Sequence, residues 1–133
     1  MAKVAVDAFG GDYAPQQIVE GALRAADQDG IGVILTGDEQ RLKQLVGGRP
    51  GSKRIEIVHA PEIIQMDEAP VEAVRRKKES SLSVAARLVR DERAGAMVSA
   101  GSTGATLAAS LFIIRRIKGV ERPAITSFMP TRT

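Results

Sequence analysis

Apolar residues in this chain fall into short runs and helical stripes that alternate from one end to the other. Val4-Ala5-Val6, inside Lys3 to Asp7, is a buried strand pattern that ends at an acid. Pro15 suits the first turn of a helix, where a missing N–H costs nothing. Ile18, Val19, Ala22, Leu23 and Ala26 then recur at helical spacing, and Asp27 to Gly30 closes that helix. Gly32 to Thr36 reads as a second strand. Its unbroken Val33-Ile34-Leu35 is the pattern of a strand covered by helices on both faces. Gly37-Asp38 turns into a second helix, with Asp38 as N-cap and Leu42, Leu45 and Val46 as its stripe, stopped by Gly47-Gly48. After the polar loop Arg49 to Lys53, Arg54 to His59 is a third strand.

Pro61 to Ala69 has the least regular pattern. Pro70 opens a short helix, Val71 to about Lys77, and Ser80 or Ser81 caps the next, whose face is Leu82, Ala85, Ala86 and Val89. Ala96 to Ala100 is a fourth strand. Gly101-Ser102-Thr103-Gly104 then opens a helix with Leu107, Leu111 and Ile114 on one side and Arg115, Arg116 and Lys118 at the end where cations favour the dipole. Pro123 to Phe128 is a candidate fifth strand. This alternation predicts an α/β fold: a doubly wound, mostly parallel sheet with right-handed crossovers in a three-layer αβα arrangement. No repeat, low-complexity tract or linker divides residues 1–133, which read as one α/β domain. The abrupt stop after Pro130 suggests the N-terminal portion of a longer fold, with a sheet edge open to pairing with another chain.

Two strand-to-helix corners carry the candidate chemistry. The first is Asp7-Ala8-Phe9-Gly10-Gly11-Asp12-Tyr13-Ala14-Pro15. Open α/β sheets place ligands at such turns, and Gly10 and Gly11 would let a ligand come close to the backbone. Asp7 and Asp12 would repel a phosphate, so their expected jobs are structural: accepting loop N–H groups, holding a basic side chain or, for Asp12, capping the following helix. A two-carboxylate metal site lacks any further oxygen ligand. The second corner is Ser99-Ala100-Gly101-Ser102-Thr103-Gly104-Ala105. The first N–H groups of the helix it opens have no backbone partner and, with the dipole, suit an anion. The Ser102 and Thr103 hydroxyls could add donors, or serve only as caps.

Arg75-Arg76-Lys77-Lys78, beside Ser80 and Ser81, is the densest charge run. It is either a solvated helix end or a docking patch and phosphate clamp, a role for which arginine is better shaped than lysine. His59, the only histidine, follows a strand and would lie near the ligand edge without an adjacent partner for base catalysis. Tyr13 could line a pocket or pack on the first helix, and Met66 and Met97 read as core filler.

Several classes drop out. Gly32 and Gly37 have phosphate-loop spacing, but Asp38 stands where the lysine belongs; Gly30 and Gly32 begin a dinucleotide fingerprint that Leu35 breaks. No serine sits in a nucleophile elbow. With no cysteine, disulfides and thiolate metal sites are excluded. Aromatics at 3% leave the core to Val, Ile, Leu and Ala and give the basic stretches no stacking surface, so at a net charge of only +3 no nucleic-acid partner is expected. The longest apolar stretch, Ala105 to Ile114, is too short to span a bilayer, and no signal peptide is visible.

The first corner resembles the opening signature of the bacterial phosphate acyltransferases of phospholipid synthesis. Three further stretches are similar to that family in order: Pro70 to Lys78 with Ser80-Ser81, Ser99 to Ala105, and Arg116-Ile117-Lys118-Gly119 through Arg122-Pro123. Phe9, Tyr13 and Ser102 depart from the family's usual Met, His and Asn, and Tyr13 removes an imidazole from the corner. The resemblance implies a fold shared with isocitrate and isopropylmalate dehydrogenases, of which this chain is the N-terminal part. It also implies transfer of a fatty acyl group from acyl-[acyl carrier protein] to inorganic phosphate, giving acyl phosphate without a cofactor or metal. The implied phosphate and substrate site is Asp7, Gly10, Gly11, Asp12, Arg76, Lys77, Ser80, Ser99, Gly101, Ser102, Thr103 and Gly104, with no catalytic acid or base assigned. A cytoplasmic homodimer, peripheral at the inner membrane face, is also implied, with Arg75 to Lys78 and Arg115 to Lys118 steering the acidic carrier protein. Two alternatives stand beside it: a fragment that binds an anion or carrier protein without turnover, and a phosphotransacetylase-like enzyme using acyl-coenzyme A.

Overall fold

In the computed structural model, which describes residues 3–131, four parallel strands form one sheet in the order β3-β2-β1-β4. They are β1 (Val4–Asp7), β2 (Val33–Gly37), β3 (Ile55–His59) and β4 (Ala96–Val98). Helices α1 (Gln16–Gln28) and α2 (Glu39–Val46) link the first three; α3 (Pro70–Arg76) and α4 (Ser81–Arg90) lie between β3 and β4. After β4, α5 (Thr103–Ala109) runs on into a π-helical turn, Ser110–Ile114.

Side chains alternate across the strands with a period of two, so each strand feeds two cores. Val33 and Leu35 pack with Val19, Leu23, Leu42 and Val46 of α1 and α2 on one face. Ala5 and Ile34 pack with Ala85 and Leu88 of α4 on the other. Helices on both faces explain why all five residues of β2 are buried. A third cluster joins Val74 of α3, Leu82 and Ala86 of α4, and Ala105, Ala108 and Ala109 of α5. The expected three-layer, doubly wound α/β architecture is present. The winding reverses between β1 and β4: the chain steps from β1 to β2 to β3 over one face, then returns past them over the other.

Local signals account for several boundaries. Asp38 accepts the Arg41 N–H at 2.8 Å and starts α2; Ser80 accepts that of Ser83 at 3.1 Å and starts α4. Three expectations fail. Residues 123–128 form no strand; residues 115–131 are irregular and exposed, with Ile125, Phe128 and Met129 packed against nothing that would support one. On α5 the buried face is Ala105, Ala108 and Ala109, while Leu107, Leu111 and Ile114 are only half-buried. Small side chains let α5 approach α3 and α4 closely, and Gly104 lies directly against Pro70. Met66 is exposed rather than filling the core, whereas Met97 is half-buried between two clusters as expected.

At the opposite end of the sheet, the Glu56 carboxylate accepts from Lys3 Nζ at 2.7 Å and Arg93 Nη2 at 2.5 Å. The Lys3 hydrogen bond, against a desolvation penalty and with added attraction from Lys3 and Arg93, holds the Glu56 carboxyl below its usual 4.5. A folded-state pKa below the unfolded value contributes stability above that value, and this is lost as pH falls through the folded one. Glu56→Gln should therefore lower stability slightly at neutral pH, where the exposed pairs contribute, leave stability well below pH 4.5 little changed, and so flatten the acid limb. Urea melts of both proteins across that range check it; parallel acid limbs would contradict it.

Candidate functional site at the strand-order reversal

The β1–α1 and β4–α5 corners emerge side by side at the reversal, where open α/β sheets form their ligand crevice. They do more than converge: they touch. A Cβ on Gly101 would lie 3.2 Å from Gly10 Cα, and one on Gly11, whose φ is +116°, would lie 3.0 Å from the Ala100 carbonyl oxygen. The corners are joined by a hydrogen-bonded clasp. Ser99 Oγ donates to Asp7 Oδ2 at 2.8 Å, the Gly101 N–H donates to Ser99 Oγ at 3.1 Å, and the Phe9 N–H donates to Asp7 Oδ1 at 3.3 Å. Asp7 is 3% exposed.

This geometry changes the reading of Gly10. A Cβ there would overlap Asp7 Oδ2 and lie 2.8 Å from Ser99 Oγ. The bare glycine makes room for the clasp. Asp7 takes the structural part expected of it, its charge spent on neighbouring donors. Asp12 does not cap α1. Helix α1 starts behind Pro15 with no side-chain cap, because Asp12 lies too far before it, and the turn is closed instead by Ala14 N–H to the Gly11 carbonyl. The exposed Asp12 carboxylate has no hydrogen-bond partner among the described residues.

Ser102 caps α5, accepting from the Ala105 N–H at 3.2 Å. Thr103 is exposed, and Gly104 allows α3 to begin against α5, since a Cβ would meet Pro70 Cγ at 2.8 Å. Among the described residues, the N–H groups of Gly10, Gly11, Thr103 and Gly104 have no hydrogen-bond acceptor. Four unpaired donors therefore cluster around the two corners.

The other expected site residues make contacts of their own. Pro70 touches Gly104, but Arg75 lies 5.0 Å from the centroid of the Phe112 ring, eight residues along from Gly104. That is about 12 Å of helical path away from the corners. Arg76 and Lys77 both turn to Glu68, at 3.2 and 2.5 Å, and Lys77 also donates to the Ile63 carbonyl. The Gln65 N–H, Lys77 and Arg76 together hold the Glu68 carboxyl below its usual value. Ser80 is fully buried, and its hydroxyl donates to Ser83 Oγ. His59 sits on the sheet rim but on the far edge strand, where its Nδ1 accepts the Glu39 N–H at 3.3 Å. Tyr13 is 77% exposed and neither packs on α1 nor closes a pocket.

The structural parts of two residues were not signalled by the sequence. Phe9 covers Gly37, where a Cβ would strike its ring, and so fixes the rim toward α2. Thr36, fully buried at the end of β2, donates from Oγ1 toward the Val6 and Ser81 carbonyls at 3.1 and 2.8 Å, tying α4 to the sheet just below the corners. A lone Thr ending an apolar run is the only hint the sequence offers.

Known proteins similar to this chain match nearly all of it. A phosphate acyltransferase of Pelotomaculum thermopropionicum is 56% identical over 128 residues, covering 96% of this chain and 37% of the relative. Those of Desulforamulus reducens and Desulfitobacterium hafniense are 50% and 53% identical over 131 residues, each covering 98% of this chain and 39% of the relative. The chain thus spans less than two-fifths of the length of the curated relatives it matches. Residues 2–133 also match the family model described as fatty acid synthesis protein, and the chain belongs to that family.

Proposed function

We propose that this chain forms the phosphate-binding rim of a phosphate acyltransferase that moves a fatty acyl group from an acyl-[acyl carrier protein] thioester to inorganic phosphate. The observation that carries the reading is the contact of the two glycine corners at the strand-order reversal, with Gly11, Thr103 and Gly104 offering unpaired N–H groups beside it. Oriented N–H groups at a helix start bind phosphate without a positive side chain. The site then needs no cation from Arg76 and Lys77, which pair with Glu68.

The chemistry needs no enzyme nucleophile. A phosphate oxygen attacks the thioester carbonyl carbon, and the carbonyl electron pair moves to oxygen. When that pair returns, the C–S bond breaks, leaving acyl phosphate and a carrier thiolate that takes up a proton. The protein's tasks are to hold the anion in line and to stabilise the transient oxyanion with preorganised donors. The clasped Asp7 serves by fixing the corners and keeping its charge on Ser99.

The complete protein should release free carrier protein from acyl-carrier protein in proportion to phosphate, and faster than it consumes the matching acyl-coenzyme A. No release at any phosphate concentration would end the proposal; preference for coenzyme A would favour the phosphotransacetylase-like reading. Residues 1–133 alone should bind phosphate weakly and turn nothing over. The family likeness also supports a cytoplasmic homodimer that meets the membrane peripherally; among the described residues no helix is long and apolar enough to cross one.

A further inference from the structure

A groove of about 480 Å³ lies on the helical layer away from the corners, between α3, α4 and the end of α5. Its floor is apolar, formed by Val74, Phe112 and Ile113. Cations line both banks, Arg75 and Lys78 on one side and Arg87 and Arg90 on the other. Phe112 is 45% exposed, and the Arg75 guanidinium lies over its ring. Arg75 and Lys78 form no ion pair with the described residues. Arg87 is tied to Glu79 and to the Lys78 carbonyl, and Arg90 to Asp91. Exposed pairs of that kind contribute little and exchange readily.

The spacing selects an occupant. Arg87 and Arg90 stand three residues apart on one face of α4, the separation at which helical side chains are neighbours. Two cationic banks flanking an apolar floor complement an amphipathic helix with an apolar stripe and carboxylates at three- or four-residue intervals along its edges. A small anion would use one bank and leave the floor open.

We infer that this groove is the docking surface for an acidic amphipathic helix of the protein that delivers the acyl group. This assignment rests on the proposed function for the identity of that partner. Delivery then involves two separate places on the chain. The groove holds the partner's helix, and the corners, some two helical turns away, hold phosphate. A tethered acyl thioester spans the distance.

The test uses the complete protein and the double variant Arg75→Glu/Lys78→Glu, both positions being exposed. The expected result is a rise in KM for acyl-carrier protein on the order of tenfold, with kcat and the activity on a short acyl-pantetheine thioester unchanged. Phe112→Ala should raise the same KM. Arg115→Glu/Lys118→Glu, in the other basic cluster, should not. The wild-type KM should rise with salt more steeply than that of the double variant. An unchanged KM in the Arg75/Lys78 variant overturns the assignment, as does a loss confined to binding of anionic phospholipid vesicles. Carrier-protein binding that follows these residues without phosphate-dependent turnover would retain the docking surface and remove the proposed reaction.

Discussion

Gly10→Ala will cost the protein about 3 kcal/mol of stability and most of its activity. One methyl group is ordinarily a mild change in a loop. Here it overlaps the Asp7 carboxylate and presses on Ser99 Oγ at 2.8 Å, and Asp7 is buried with no room to swing aside. Relief requires parting the two corners, which breaks the hydrogen bond between Ser99 and Asp7 and moves the Thr103 and Gly104 N–H groups away from Gly11. Urea melts read the stability, and phosphate-dependent turnover reads the geometry. Gly21→Ala is the control, because nothing lies within 4 Å of a Cβ there and that glycine sits inside α1. It should be neutral or slightly stabilising. A Gly10→Ala protein as stable as the parent would mean that the corners are not held as described.

Ser99→Ala will cost about 2 kcal/mol, the larger part from what it leaves behind. The Asp7 carboxylate loses its Ser99 donor and keeps only the longer Phe9 N–H contact, while the Gly101 N–H loses its acceptor. Asp7→Ala removes the other half of the clasp. The two substitutions act on one network, so the double variant should be less damaged than the sum by at least about 1 kcal/mol. Additive losses in the cycle would show that Asp7 and Ser99 act independently. Thermal melts of the four proteins suffice, and they apply whether or not the catalytic reading holds.

The layers and the two corners were legible because this chain states them with local chemistry. The Val33-Ile34-Leu35 run announces a strand buried on both faces, and Asp38, Ser80 and Ser102 mark helix starts that their side chains cap. Position was not legible where partners are distant in sequence. Nothing near Gly10 predicts that its missing side chain accommodates Asp7 and Ser99, and nothing near Gly104 predicts Pro70. Asp12 was misread because it lies three residues before Pro15, outside capping reach. On α5 the leucine stripe misled because burial there follows closeness of approach, which favours alanine. The run Arg75 to Lys78 looked like one patch, yet helical geometry divides it: Arg76 and Lys77 go to Glu68 while Arg75 and Lys78 face the groove.

The Ser99–Asp7 bond closes a span of 92 residues. Bringing such distant points together carries an entropic toll of roughly 4 kcal/mol, which no local contact recovers before β4 docks beside β1. The clasped rim is thus among the last features to mature. A growing polypeptide emerging from the ribosome would display β1 with Asp7 lacking its Ser99 donor until the fourth strand arrives. A nascent chain cut short before that strand would have helices and a three-stranded remnant, but only one of the two corners.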